Sequence, residues 1–346
     1  MLPDHEYHRL VVVEVVDETA DTRSFVLDIP PDLERTFAYA AGQFCTFRAT
    51  IDGEEVVRSY SMSSSPDTGD RFTTTVKRVP GGRMSNWMND TLAPGTTIDV
   101  MRPTGLFVLR DRDDAIVAFA GGSGITPVIS IVKSALATTT RPVALLYANR
   151  SAEVVIFGAE LERLRSAAGD RLSVRHHLDS DRGFLDAAQC HAFAREHTNA
   201  DFYVCGPGPY MDTVEAGLST LDVEPSRRFI ERFVAPDDTT VNTTVNTTVD
   251  TNGAAPDELV IRLDRRKHTV RYVSGDTVLE AARRGGLRPP FSCEAGNCAT
   301  CMAHIDKGSV SMRVNNALST DEIDEGWVLT CQSIPTSAEV VVDYDA

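Results

Sequence analysis

Phe291-Ser292-Cys293-Glu294-Ala295-Gly296-Asn297-Cys298-Ala299-Thr300-Cys301 is the stretch on which the reading of this chain turns. Taken with Cys331 it gives Cys-x4-Cys-x2-Cys…Cys, a spacing that holds a 2Fe-2S cluster through four thiolates. Three ligands from so short a segment need a loop that wraps the cluster, and Gly296 supplies the backbone freedom for it. Zinc sites more often show paired Cys-x2-Cys knuckles, and only one pair here has that spacing. Disulfides are the third alternative. With no targeting peptide read in Met1 to His8, the thiols are expected to stay reduced. Cys293, Cys298, Cys301 and Cys331 are therefore the expected cluster ligands.

The segment around this loop, residues 257–346, reads as a mixed sheet with one helix. Leu259–Leu263 and His268–Val273 form a hairpin pattern, and Thr277-Val278-Leu279-Glu280 is a capping box opening a helix that stops at Gly285-Gly286. Strands are expected at Met302–Ile305, Val328–Gln332 and Glu339–Val342, with a short acidic helix near Asp321–Glu325. This α+β pattern resembles the β-grasp fold of plant-type ferredoxins. Residues 234–256 precede it. Their core repeats a Thr-Thr-Val-Asn unit with no large apolar residue to bury, so a polar flexible linker is expected.

Upstream the chain has two rhythms. Residues 1–110 alternate short Val-, Thr- and Phe-rich runs with Pro/Gly turns, as a small antiparallel β-barrel does. Residues 111–233 alternate apolar strands with helices, which implies an α/β domain with a parallel, doubly wound sheet. The chain is thus expected to be multidomain. Its formal charge is −16, from 34 Lys+Arg against 50 Asp+Glu. That excludes nucleic acid as the expected partner, because phosphate backbones need a basic face. No apolar run reaches the ~20 residues of a membrane span. A cytoplasmic protein is the expectation. Cys45 and Cys190 sit among apolar residues and read as small core side chains.

Five stretches carry candidate chemistry. Arg58-Ser59-Tyr60-Ser61 closes a strand with a cation, an aromatic ring and hydroxyls, the groups a flavin nucleotide needs for phosphate, ring face and ring edge. Lys77-Arg78-Val79-Pro80-Gly81-Gly82-Arg83-Met84-Ser85 leads a glycine turn into a short helix, Ser85–Asn89, whose amino end suits a pyrophosphate. Ala120-Gly121-Gly122-Ser123-Gly124-Ile125-Thr126-Pro127 follows the first parallel strand, where such sheets bind dinucleotides, and Pro127 suits a first helical turn. Cys205-Gly206-Pro207-Gly208-Pro209-Tyr210 closes the fourth strand at the same edge. Glu231 and Phe233 end the last strand, and a buried carboxylate there needs a partner.

The order of these motifs resembles the ferredoxin–NADP+ reductase superfamily with a plant-type ferredoxin fused at the carboxyl end. The layout is that of reductase components of bacterial Rieske oxygenases of steroid catabolism, and phenylacetyl-CoA epoxygenase reductases share it. Gly121 to Val132, Tyr147-Ala148-Asn149-Arg150, Phe229-Ile230-Glu231-Arg232-Phe233 and Ser311 to Gln332 carry the likeness. It implies FAD, a 2Fe-2S cluster and NADH, with NADPH as the alternative, and a terminal oxygenase as protein partner. On this likeness Arg58, Ser59, Tyr60, Ser61, Lys77, Val79, Gly82, Arg83, Met84 and Ser85 fall in the flavin site. Gly122, Gly124, Thr126, Pro127, Asn149, Arg150, Cys205, Gly206 and Pro207 fall in the nicotinamide nucleotide site. Phe233 shields the flavin, and Ser61, Cys205 and Glu231 tune the reacting centre. The acids of Leu178-Asp179-Ser180-Asp181 disfavour a 2′-phosphate, so NADH is expected over NADPH. A diiron hydroxylase reductase, a redox-sensing regulator and a zinc-bearing module are the alternatives.

Overall fold

The computed structural model describes residues 7–197, 199–221, 223–232, 256–291, 294, 296, 299–315, 317–318 and 320–346. Phe233, Cys293, Cys298 and residues 234–255 of the expected linker lie outside the described residues. The chain groups into two compact units: residues 1–103 with 107–233, and residues 104–106 with 234–346. Residues 104–106, read from sequence with the barrel, group with the second unit.

The first unit opens with β1 (Tyr7–Thr19), β2 (Thr22–Asp28), β3 (Phe44–Ile51), β4 (Glu54–Ser61), β5 (Thr73–Lys77), α1 (Arg83–Thr91) and β6 (Thr97–Met101). The strands make one sheet in the order β4-β3-β6-β1-β2-β5, antiparallel throughout. A bridge between Met62 and Thr74 brings the end of β4 to β5 and closes the sheet. Asp52 and Gly53 both take positive φ, which fits the tight hairpin between β3 and β4. Leu10, Val12, Phe25, Phe47 and Val100 alternate inward and are fully buried. Helix α1 is longer than the expected Ser85–Asn89.

The same unit continues with β7 (Ile116–Gly121), α2 (Ile125–Thr138), β8 (Val143–Asn149), α3 (Gly158–Ala168), β9 (Leu172–Leu178), α4 (Asp179–Arg182), α5 (Ala187–Ala194), β10 (Asp201–Gly206), α6 (Gly208–Ser219) and β11 (Arg228–Arg232). Its sheet runs β11-β10-β7-β8-β9, all parallel. The strand order reverses between β7 and β10, and that switch point opens a crevice at the carboxyl edge. Helix α5 starts later than expected because Asp186 caps it in a box with Gln189. Hydroxyls clasp α2 to the barrel. Ser130 Oγ donates to Ser64 O at 2.6 Å and accepts from Gly42 N at 3.3 Å, and Ser65 and Ser134 pair at 2.7 Å. Lys133, almost wholly buried, joins Asp70 at 2.9 Å and Glu160 at 3.2 Å.

The second unit contains β12 (Glu258–Leu263), β13 (Arg266–Arg271), α7 (Val278–Arg284), β14 (Met302–Lys307), β15 (Val310–Met312), α8 (Thr320–Asp324), β16 (Trp327–Leu329), β17 (Ser333–Pro335) and β18 (Val340–Asp343). A mixed sheet runs β13-β12-β18-β14-β16, with β12 and β18 parallel, and β15 pairs with β17 in a separate ribbon. The capping box at Thr277 and Glu280 is present. The strand expected over Val328–Gln332 stops at Leu329 as β16; residues 330–332 form a turn, and β17 begins only at Ser333. Thr330 N and Oγ1 both donate to Cys301 O, at 3.1 and 2.7 Å, and Gln332 N turns back to Leu329 O at 2.9 Å. The turn places Cys331 beside the cysteine loop instead of in a ladder.

Candidate functional site

Two glycine-bearing loops meet at the switch point. Cys205 on β10 stands opposite Ala120 on β7. A Cβ on Gly124 would lie 2.2 Å from Cys205 O, so only glycine lets the loops touch. Gly121 and Gly206 both lie against the Tyr210 ring, with a Cβ reaching Cδ1 at 2.8 and 2.6 Å. Tyr210 is thus the floor of both loops, a role that nothing in its sequence neighbourhood signals. Gly122 has φ +52, and its carbonyl accepts from Tyr147 Oη at 3.1 Å. Thr126 donates to Ser123 O at 3.0 Å, and Thr126 and Pro127 are buried in the first turn of α2. At the end of β8, Asn149 is buried near the Tyr147 hydroxyl, with neither amide atom in a well-formed hydrogen bond among the described residues, and Arg150 next to it is exposed. A buried, unsatisfied carboxamide at this edge is a fit for a polar ligand such as a nicotinamide nucleotide.

The barrel brings its own residues to the same place. β4 carries Arg58-Ser59-Tyr60-Ser61, and period-two alternation puts Arg58 and Tyr60 on one face, Ser59 and Ser61 on the other. Ser59 Oγ bonds Thr46 Oγ1 at 3.0 Å. Tyr60 leans on Phe47 with ring centroids 5.8 Å apart, and burial pushes its hydroxyl pKa up. Arg58 donates to Val57 O at 2.7 Å and has no carboxylate in ion-pair reach among the described residues. A half-buried guanidinium so placed fits a phosphate. Ser61 is buried, and its hydroxyl donates to Glu231 Oε1 at 3.5 Å. Glu231 on β11 stands beside Cys205 on β10. Ser61, Cys205 and Glu231 therefore come together from both halves of the unit.

Burial controls the charge of this trio. Glu231 is half-buried, and desolvation of its carboxyl raises its pKa to about 8, offset only by the Ser61 hydroxyl. Burial, and then the Glu231 charge, push the Cys205 thiol up as well. At neutral pH Glu231 is mostly protonated and Cys205 is a thiol, so neither is a nucleophile.

The glycine turn before α1 divides differently from the sequence expectation for its cations. Lys77 pairs with Asp21 at 3.2 Å, and Arg83 pairs with Glu54 at 2.7 Å and donates to Ile51 O at 3.0 Å. Val79 is exposed. Gly82 is tightly held, since a Cβ would meet Ser85 Oγ at 2.6 Å. Ser85 Oγ accepts from Val79 N at 3.2 Å, Met84 is buried, and no side chain caps the amino end of α1. The uncapped N–H groups of this turn remain for a pyrophosphate.

In the second unit Cys301 and Cys331 are buried. The loop before Cys301 holds Glu294, Gly296 and Ala299 at positive φ, and at Gly296 a Cβ would strike Val314 O at 2.7 Å. Left-handed backbone at Glu294, Gly296 and Ala299 is what a loop carrying three convergent ligands needs. Thr300 Oγ1, next to Cys301, is buried without a hydrogen-bond partner among the described residues. An orphan hydroxyl among buried sulfurs fits a cluster whose sulfides accept hydrogen bonds. Arg283 grips Glu294 through both carboxylate oxygens, at 2.8 and 3.2 Å.

A barrel with a flavin-type strand end, a parallel sheet with a dinucleotide crevice and a β-grasp unit with a cysteine loop define an electron-transferring oxidoreductase. Known proteins give the same three parts. Residues 9–109 match the oxidoreductase FAD-binding domain, 119–216 the oxidoreductase NAD-binding domain and 261–336 the 2Fe-2S iron-sulfur cluster binding domain. The ferredoxin reductase component of 3-ketosteroid-9-alpha-monooxygenase from Mycolicibacterium smegmatis is 38% identical, over 97% of this chain and 96% of its own. One of the subunits of 1,2-phenylacetyl-CoA epoxidase from Escherichia coli is 33% identical, over 98% of each chain. The solved structure of phthalate dioxygenase reductase, described as modular for electron transfer from pyridine nucleotides to 2Fe-2S, superposes with a TM-score of 0.59. It is 27% identical and covers 97% of this chain and 98% of its own. The chain belongs to the ferredoxin–NADP+ reductase superfamily, among members that carry a 2Fe-2S domain at the carboxyl end.

Proposed function

We propose that this protein is the NADH-dependent reductase component of a terminal oxygenase, a Rieske-type partner of the 3-ketosteroid 9α-hydroxylase kind, working in the cytoplasm. The observation that carries the proposal is the meeting of Ser61 from the barrel with Glu231 and Cys205 at the switch point of the nucleotide sheet. It sets a flavin-type strand end against a dinucleotide crevice. The names of the relatives support the partner. In this reading the domains are 1–110 for FAD, 111–233 for the nicotinamide nucleotide and 257–346 for the cluster, with 234–256 as linker. No described helix is long and apolar enough to cross a membrane.

Arg58 and the uncapped turn at Gly82, Met84 and Ser85 would hold the FAD phosphates, and Tyr60 and Ser61 would hold its ring system. Thr126, Pro127, Gly206 and Pro207 shape the nicotinamide pocket, with Asn149 and Arg150 further along the edge. Glu231 holds a proton on its carboxyl at neutral pH and keeps uncompensated charge out of the pocket. Cys293, Cys298, Cys301 and Cys331 hold the cluster. Bound there, FAD would supply the chemistry that joins two-electron donation by NADH to one-electron acceptance by a 2Fe-2S cluster.

Asp179 and Asp181 open α4 directly beyond β9, and Ser180 N bonds Arg150 O at 2.9 Å. A 2′-phosphate near Arg150 would meet these carboxylates, which favours NADH. Steady-state reduction of an acceptor should give kcat/KM for NADH at least tenfold above NADPH, and the reverse order contradicts the assignment. Reconstitution with a ketosteroid Rieske oxygenase should support NADH-driven hydroxylation. Turnover only with a diiron epoxidase would move the protein to that partner class.

A further inference from the structure

We propose that the side-chain amide of Gln332 sets the reduction potential of the 2Fe-2S cluster, donating one N–H to the ligand sulfur of Cys331 while its other N–H locks the cluster loop. The inference rests on the cluster reading above. Gln332 is 8% exposed. Its Nε2 lies 3.6 Å from Cys331 Sγ and 2.8 Å from Glu294 O. A carboxamide nitrogen carries two protons, and here each has an acceptor. Reversing the amide would set its oxygen against a carbonyl and a thiolate, so the orientation is dictated by its neighbours.

The group is also held in place. Gly296 packs on the stem, since a Cβ there would reach Gln332 Cγ at 3.1 Å. Glu294, whose carbonyl takes the second N–H, is fixed from the other side by Arg283, and that guanidinium stacks on Phe291 at 3.7 Å from the ring centroid. The amide therefore cannot swing away from the sulfur without loosening the loop. A ligand thiolate shares the negative charge of its cluster, and one-electron reduction deepens that charge. A donor on the sulfur stabilises the reduced form more than the oxidised form and raises the potential.

The test uses the full-length holoprotein. Gln332→Met keeps an unbranched stem without donors, and Gln332→Glu keeps the shape but replaces donors with acceptors. Spectroelectrochemical titration should show cluster reduction about tenfold less favourable in each, ~59 mV more negative for one electron, at wild-type iron content. The flavin potential should stay put. If neither variant loads iron, the wild type decides: with glutamine labelled by 15N at the side-chain amide, pulsed EPR of the reduced cluster should show a coupled 15N. Loaded variants with an unmoved potential, or no such coupling, overturn the inference alone. A wild type that holds no cluster overturns the functional reading beneath it.

Discussion

Glu231 concentrates the chemistry of this molecule in one residue. Its half-buried carboxyl is desolvated and faces one hydroxyl, so its pKa rises to about 8. Because the folded value lies above the unfolded one, the stabilising contribution is complete below about pH 4.5 and is lost as pH rises through about 8. The slope it adds is at most about 1.4 kcal/mol per pH unit. Glu231→Gln removes the ionisation, so thermal melts of the variant holoprotein should fall less between about pH 6 and 9 than those of the wild type. Equal falls would show that another group carries the dependence. Sequence made Glu231 conspicuous, as a carboxylate at the end of a buried strand. It could not give the partner, because Ser61 is 170 positions away and reaches it only through the packing of barrel on sheet.

At the scale of the element, the switch point between β7 and β10 is what the glycines serve. Gly124 has no room for a side chain because Cys205 O, a backbone atom, stands where a Cβ would be. Gly124→Ala should cost about 1–3 kcal/mol through overpacking and raise KM for NADH more than it lowers kcat. Differential scanning calorimetry with steady-state kinetics checks both, and an unchanged melting temperature with unchanged KM would contradict the packing described. The strand–helix rhythm of residues 111–233 was legible because β7, β8 and β10 are nearly continuous apolar runs. The end of β16 at Leu329, short of the expected Gln332, was not, because the bonds from Thr330 to Cys301 O that cause it are long-range. The charges of Lys77 and Arg83 were legible, but their carboxylate partners Asp21 and Glu54 depend on strand register and turn geometry.

At the scale of the whole molecule, sequence spoke most clearly through spacing. Four cysteines at fixed intervals announce a cluster whatever surrounds them, and a change from strand-and-turn to strand-and-helix rhythm separates barrel from sheet. Details that depend on three-dimensional approach, such as the Tyr210 floor and the Gln332 amide, had no signal beyond their neighbours in the motifs. The central claim is that one chain takes electrons in pairs and gives them up one at a time. It is tested by mixing the purified holoprotein with NADH without oxygen while recording visible absorbance and EPR. The account predicts that the flavin bands bleach and the signal of a reduced 2Fe-2S cluster appears. A colourless protein, or a bleached flavin beside iron that stays ferric, would contradict it.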